Sequence, residues 1–189
     1  MQPEELALSP AQVHSGGSHA GEWFEALFRE HYPRLVGMIA RLTWDRSQAE
    51  EIAADAFSKL SRRSTLLASR EDVTAWVYRV ATNAGLDALR AASRRRRREQ
   101  AAGAERLRTG EEVSALEALL REERGARVRT VLSRMKARDA QLLLLRASGM
   151  PYRQIAQALG VQPSSVGTLL ARAEREFERD YRARYGDDV

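Results

Sequence analysis

Cysteine is absent from the 189-residue sequence, which excludes disulfides, thiolate chemistry and cysteine-ligated metal sites and suits a cytoplasmic protein. Histidine is nearly absent: His14 and His19 lie in a Gly/Ser-rich stretch and His31 stands alone near Tyr32. None has companions at metal-ligand spacing, so each is expected to be solvated or partly packed. Five prolines and 12 glycines are too few for disorder throughout. Runs of β-branched residues with alternating polarity are missing, so no strand is expected. No apolar stretch approaches a signal core or a membrane span, and Glu4 and Glu5 stand where a basic start would be needed. There is no Gly-rich phosphate loop with Lys, no metal-ligand cluster and no nucleophile beside a base, so an enzyme acting on nucleic acid finds no support and no cofactor is expected.

What is present is Ala, Leu, Arg and Glu at helical spacing, the composition of an all-α protein with one or two domains. Lys and Arg number 31 against 26 Asp and Glu, a formal net charge of +5. The run Arg94–Arg98 supplies five positive charges, so the rest of the chain is balanced. Basicity concentrated at one place points to a polyanion, and nucleic acid is favoured over membrane because no apolar face accompanies the run.

The stretch from Gly149 to Phe177 has the pattern of a helix, a tight turn and a second helix. Tyr152, Ile155, Ala156 and Leu159 form one stripe; Gly160 supplies a residue free to adopt positive φ; Pro163 fits the first position of the next helix; Val166, Leu170, Ala173 and Phe177 continue the buried face. A helix-turn-helix places its second helix in a DNA major groove, although an ordinary helical hairpin has the same pattern.

Residues 1–20 lack periodicity and are expected to be a tail without assigned function. Between Trp23 and Leu42, two helical segments interrupted at Pro33 share a face through Leu27, Phe28, Leu35, Met38 and Ile39. Ser47–Glu50 has the form of a capping box, followed by the stripe Ala49, Ile52, Ala53, Ala56, Phe57 and Leu60. Glu50, Glu51 and Asp55 lie opposite, which on spacing alone is a solvated face. After a polar loop from Arg62 to Arg70, Ser69 or Asp72 can cap a helix whose buried side is Val73, Trp76, Val77, Val80, Ala84 and Ala88. Its other side presents Arg79, Asn83 and Arg90 and runs into Arg94–Arg98, a row suited to following phosphates while an amide reads a base edge. Periodicity fades over 99–112, the signature of a linker. It returns with Val113, Leu116, Leu119 and Leu120, then Val128, Val131, Leu132 and Met135, and Asp139 is placed as the cap of a segment from Ala140 to Ala147. The last helix can extend past Phe177 toward Gly186, giving domains at 21–98 and 113–185.

Taken together, "AEEIAADAF" (Ala49–Phe57), "TAWVYRVATNAGLDALR" (Thr74–Arg90) with the arginines that follow, and "LLLLRASGMPYRQIAQALGV" (Leu142–Val161) leading into "SSVGTLLARAEREF" make the chain from Trp23 to Phe177 resemble bacterial sigma factors of the extracytoplasmic-function group. The resemblance implies a region 2 helical bundle, a linker and a region 4 helix-turn-helix. It also implies a dissociable subunit that binds core RNA polymerase, directs promoter-specific initiation and helps melt promoter DNA. Glu51 and Asp55 match acidic positions that dock on the β′ coiled coil, with Ala54 where the family usually has Gln. The loop from Arg62 and Arg63 to Glu71 matches one that captures a flipped base of the minus-ten element, and Asn83 a position facing that element's upstream end. Trp76 and Tyr78 fall in the melting region; Trp76 is assigned to the core and Tyr78 fits either role. Arg90, Arg94, Arg95, Arg96, Arg97 and Arg98 would neutralise phosphates.

In the second half, Ser164, Ser165, Thr168, Arg172 and Arg175 remain to contact the minus-thirty-five element. Relatives commonly carry basic or polar residues where this chain has Gly167, Leu169, Ala171 and Glu174, and Gln162 is a poorer cap than Ser. A weaker or differently specific contact is therefore expected, with Leu169 available to touch a protein such as an anti-sigma factor or the polymerase β flap. The competing interpretation is a dimeric helix-turn-helix regulator that does not bind core polymerase. It accounts for Gly149–Phe177 and leaves the acidic helix, the loop and the arginine-ended helix unexplained.

Overall fold

The computed structural model describes residues 15–62, 70–101 and 115–186. They form seven helices and no strand: α1 Ser15–Thr43, α2 Arg46–Ser61, α3 Arg70–Ala101, α4 Ala115–Leu132, α5 Ala137–Ala147, α6 Tyr152–Leu159 and α7 Pro163–Tyr185. The all-α expectation holds. Helix α1 begins within the segment expected to be a tail, and residues 1–14 lie outside the described residues. It also runs unbroken through Pro33, whose missing N–H removes one ladder bond, while Leu27, Leu35, Val36, Met38, Ile39 and Leu42 anchor the helix on both sides of it. Burial of each such side chain is worth about 1.5–3 kcal/mol, enough to offset the proline.

Helix α2 is capped two residues earlier than the pattern suggested. Asp45, not Ser47, is the N-cap; its Oδ1 accepts from the Gln48 N–H at 2.9 Å. Behind it Ala49, Ala53, Ala56, Phe57 and Leu60 are buried as expected and Ile52 is half-buried. Helix α3 continues to Ala101, three residues into the expected linker, and Ser69 lies outside the described residues. It is buried on more than one side: Val73 and Val77, but also Ala75, Tyr78, Ala81, Leu86 and Leu89, while Trp76, Val80, Ala84 and Ala88 are half-buried. The cause is its position between the two halves. One face lies against α1, so closely that a Cβ on Gly85 would meet Ile39 Cδ1 at 2.9 Å and Leu42 Cδ2 at 3.1 Å. Another lies against α5 and α6.

The helix-turn-helix has the expected boundaries. Gly160 sits at φ 63° and ψ 44°, and the Val161 N–H reaches back to the Ala156 carbonyl at 3.0 Å, closing a left-handed cap on α6. Pro163 opens α7, and Val166, Leu170, Ala173 and Tyr181 are its buried residues. Asp139 is not a cap: Lys136 holds that place, and Asp139 lies in the first turn of α5. Phe28, Val128 and Tyr152 are exposed rather than part of buried stripes, each lying at the edge of its apolar face. The apolar core joins the halves, since Leu35, Val36 and Val77 share a cluster with Leu142, Leu145 and Ile155. A second cluster gathers Leu42, Leu86 and Leu89 with Val131, Leu132, Met135 and Tyr181.

Candidate nucleic-acid interface

Three groups of sequence-selected residues occupy three different parts of the surface. The first is the outer side of α2. Glu51, Ala54 and Asp55 are exposed, held there by the alanines and Phe57 on the opposite face. Asp55 pairs with Lys59 one turn on (2.7 Å) and Glu50 with Arg46 (2.9 Å). Both pairs are solvent-screened and contribute little to stability, so the face remains available as an acidic patch. At the end of α2, Arg62 is exposed and its guanidinium donates to Ser58 Oγ at 3.3 Å. Arg63 and the rest of the expected base-capturing loop up to Ser69 lie outside the described residues.

The second group is on α3. Arg79 and Arg94–Arg98 are exposed, the latter at the helix C-terminus, where cations complement the macrodipole. Asn83 is exposed as well and Arg90 is half-buried, but both bond residues of the second half. The Asn83 amide oxygen accepts from Nε2 of Gln141, a buried residue of α5. The Arg90 guanidinium donates to the Met135 carbonyl at 3.1 Å and lies 3.7 Å from Asp87. The side of α3 expected to face DNA is thus turned, at these two residues, toward the second half of the chain. Sequence periodicity gave no signal for Gln141, whose amide is the partner that Asn83 finds.

Tyr78 is buried, its hydroxyl 3.4 Å from His31 Nδ1 and the two rings edge to face at 5.7 Å. Burial raises its pKa above the usual 10.0, against a smaller lowering by Arg34. Tyr78 therefore belongs to the core in this arrangement. His31, expected to be solvated or partly packed, is the packed partner of that pair.

The third group is the N-terminal half of α7. Ser164, Ser165, Thr168, Arg172 and Arg175 are all exposed, with Ala171 and Glu174 among them. Gln162 makes no side-chain cap. Arg172 reaches Asp139 Oδ1 at 3.4 Å; Asp139 is only 2% exposed, so this guanidinium is aimed by a buried carboxylate. Two of the unusual residues are only partly on the open surface. Leu169 is half-buried and packs against the core, so only part of it is open to a protein contact. Gly167 lies under Tyr152, whose ring would be 3.8 Å from an added Cβ, and Tyr152 carries the Arg146 guanidinium 5.6 Å from its ring centre.

Among the described residues no group of His, Asp or Glu can hold a metal ion, and no helix is long and apolar enough to cross a membrane. The surface is one of exposed cations, hydroxyls and an acidic helix face, chemistry suited to binding a polyanion and a protein.

Comparison with known proteins matches residues 27–95 to Sigma-70 region 2 and residues 125–177 to Sigma-70, region 4. The chain is 28% identical over 166 residues to a probable ECF RNA polymerase sigma factor, SigI, of Mycobacterium tuberculosis, covering 80% of this chain and 53% of that protein. It is 26% identical over 193 residues to the ECF RNA polymerase sigma factor SigE of Mycolicibacterium smegmatis, covering 100% of this chain and 73% of that protein. The chain thus spans about half the length of the first of these relatives. Among solved structures it is similar to the sigma factor RpoE in the complex with the anti-sigma factor NepR from Bartonella quintana, with a TM-score of 0.49 and 16% identity over 83% of this chain and 95% of that chain.

Proposed function

The chain belongs to the sigma-70 family, in its extracytoplasmic-function group, with region 2 in its first half and region 4 in its second; from that premise we propose that it is a dissociable specificity subunit of RNA polymerase. The observation that carries this reading is the ordered pair of regions, each on its own set of helices and each keeping a polar side free: the acidic side of α2 in one and the hydroxyl- and arginine-bearing side of α7 in the other.

In this reading residues 21–98 and 113–185 act as two domains joined by 99–112. Glu51 and Asp55 dock on the β′ coiled coil, and the second domain engages the β flap. Arg62 and Arg63 flank the loop that takes a flipped base, Asn83 reads the upstream end of the minus-ten element, and Arg79, Arg90 and Arg94–Arg98 hold phosphates. Ser164, Ser165, Thr168, Arg172 and Arg175 face the minus-thirty-five element. The partners are double-stranded and melted promoter DNA, core polymerase and an anti-sigma factor, and the site of action is the cytoplasm. The chain supplies binding energy and catalyses no reaction itself. Each DNA contact is modest alone; polymerase holds both at a fixed separation, so the second binds at high effective concentration. Asn83 and Arg90 are engaged by Gln141 and Met135, so these bonds are exchanged for contacts to DNA when α3 reads it.

Run-off transcription with purified bacterial core polymerase and a pool of promoter fragments tests this. Transcripts that require the protein and share two sequence elements are expected. Failure to transcribe, together with no complex with core on a sizing column and a stable dimer on palindromic DNA, would instead support a helix-turn-helix regulator.

A further inference from the structure

Trp44 is the one non-glycine residue with positive φ among the described residues, at 59°. It follows α1 directly, and its N–H closes a left-handed cap on the Ala40 carbonyl at 2.9 Å, a place that glycine fills without the steric penalty of a Cβ. Burial does not offset that penalty, since the indole is 57% exposed. Thr43 braces the turn locally, its Oγ1 accepting from the Asp45 N–H at 3.3 Å and lying 3.0 Å from the Asp45 carbonyl, and the contact that the indole itself makes lies in the other half of the chain: the guanidinium of Arg129, on α4, sits 4.6 Å from the centre of the Trp44 ring. Arg129 is itself poorly placed. Its pKa is lowered first by burial and then by Arg96, against a smaller rise from Glu122, so it is a partly desolvated cation near another, and the indole face is a further neighbour that favours it. Two residues before Trp44, Leu42 enters the cluster shared with Leu89 and Met135, so the contact sits at the edge of the seam between the halves.

We propose that Trp44 and Arg129 form a latch that holds the two halves closed. The same turn sets the start of α2, because Asp45, the next residue, is the α2 cap. Closure is thereby linked to the helix that carries Glu51 and Asp55. The latch itself does not depend on the sigma reading; only its consequence rests on that reading, namely that the closed chain holds Asn83 and Arg90 in bonds to Gln141 and Met135 that compete with promoter DNA.

The absence of cysteine allows a direct test on the full chain. Leu89→Cys introduces a single thiol at a position 8% exposed within the shared cluster, so its labelling under native conditions reports opening. Trp44→Ala and Arg129→Gln should each raise the labelling rate about two- to fivefold, the scale of an exposed cation–π contact. Together they should raise it no further than the larger single effect, since both remove one contact. Trp44→Gly should label as fast as Trp44→Ala and melt no lower than the parent. An unchanged rate in either single variant, multiplied rates in the double variant, or a lower melting temperature for Trp44→Gly would overturn the proposal. Neither polymerase nor DNA is present, so a chain that drives run-off transcription and fails here is a sigma factor without this latch.

Discussion

Arg172 stands where two demands on one guanidinium can be separated, and replacing it with alanine should destabilise the protein by about 1–2 kcal/mol. Its partner Asp139 is 2% exposed, and the Nη2–Oδ1 separation is 3.4 Å. Breaking a fully buried ion pair costs about 3–5 kcal/mol and a fully exposed one about 0–1. The Arg172 side chain is 59% exposed, so solvent screens the pair and places it between these limits. The first turn of α5 keeps part of the carboxylate's stabilisation, about 0.3–1 kcal/mol, after the arginine is gone. In a chain of this size the loss corresponds to a fall in melting temperature of about 2–8 °C. Urea unfolding of the full chain would measure it, with Asp139→Asn as the companion variant. The asparagine leaves no buried charge unpaired, so it should cost less than Arg172→Ala while retaining the cation on α7. Binding to a minus-thirty-five duplex should then survive Asp139→Asn and weaken in Arg172→Ala. An unchanged urea midpoint for Arg172→Ala, or a larger loss in Asp139→Asn, would refute the reasoning.

Other outcomes follow from the same geometry. Gly37→Ala, in α1 with nothing within 4 Å of an added Cβ, should stabilise by about 0.5–1 kcal/mol. Gly85→Ala gains the same helical term but presses on Ile39 and Leu42, at about 1–3 kcal/mol, so its melting temperature should shift the opposite way. Tyr78 keeps its proton in the folded chain beyond the pH near 10.0 at which the unfolded chain releases it. Stability is therefore whole below that pH and falls as pH rises above it; Tyr78→Phe should flatten that loss in urea midpoints taken from about pH 8 to 11. Asn83→Ala should change promoter choice more than affinity for core polymerase, and Glu51→Lys with Asp55→Lys the reverse. Equal losses for both variants in promoter-competition and core-binding assays would contradict that division.

The second half of the fold was legible because its signals are local. Gly160 and Pro163 mark a cap and a first turn whatever surrounds them, and the stripe on α7 faces one core. The misplaced features have tertiary causes. Pro33 suggests a break, but apolar contacts on both sides carry α1 through it. Ser47 matches a cap pattern, yet Asp45 is nearer the turn and takes the Gln48 N–H first. On α3 the pattern predicts one buried face and one polar face, whereas this helix is covered from two directions. A polar residue such as Asn83 can lie at a seam when an amide like Gln141 meets it, and hydrophobic periodicity does not register such pairs. Leu169 is anomalous for a helix proposed to face DNA if spacing alone is considered, but it is half-buried against the core.

The five exposed arginines near the C-terminus of α3 have a geometric property independent of any contact. Successive residues on a helix advance by about 100°, so five in a row sweep through more than a full circle. The cluster has no preferred azimuth. Rotating α3 about its own axis, or shifting its register against α1 by a residue, would leave the surrounding field nearly unchanged, while the same rotation would carry Asn83 and Arg90 off their partners. Attraction at the end of the helix is thus insensitive to phase and recognition along its length is acutely sensitive to it, so mutation can retune the second without weakening the first.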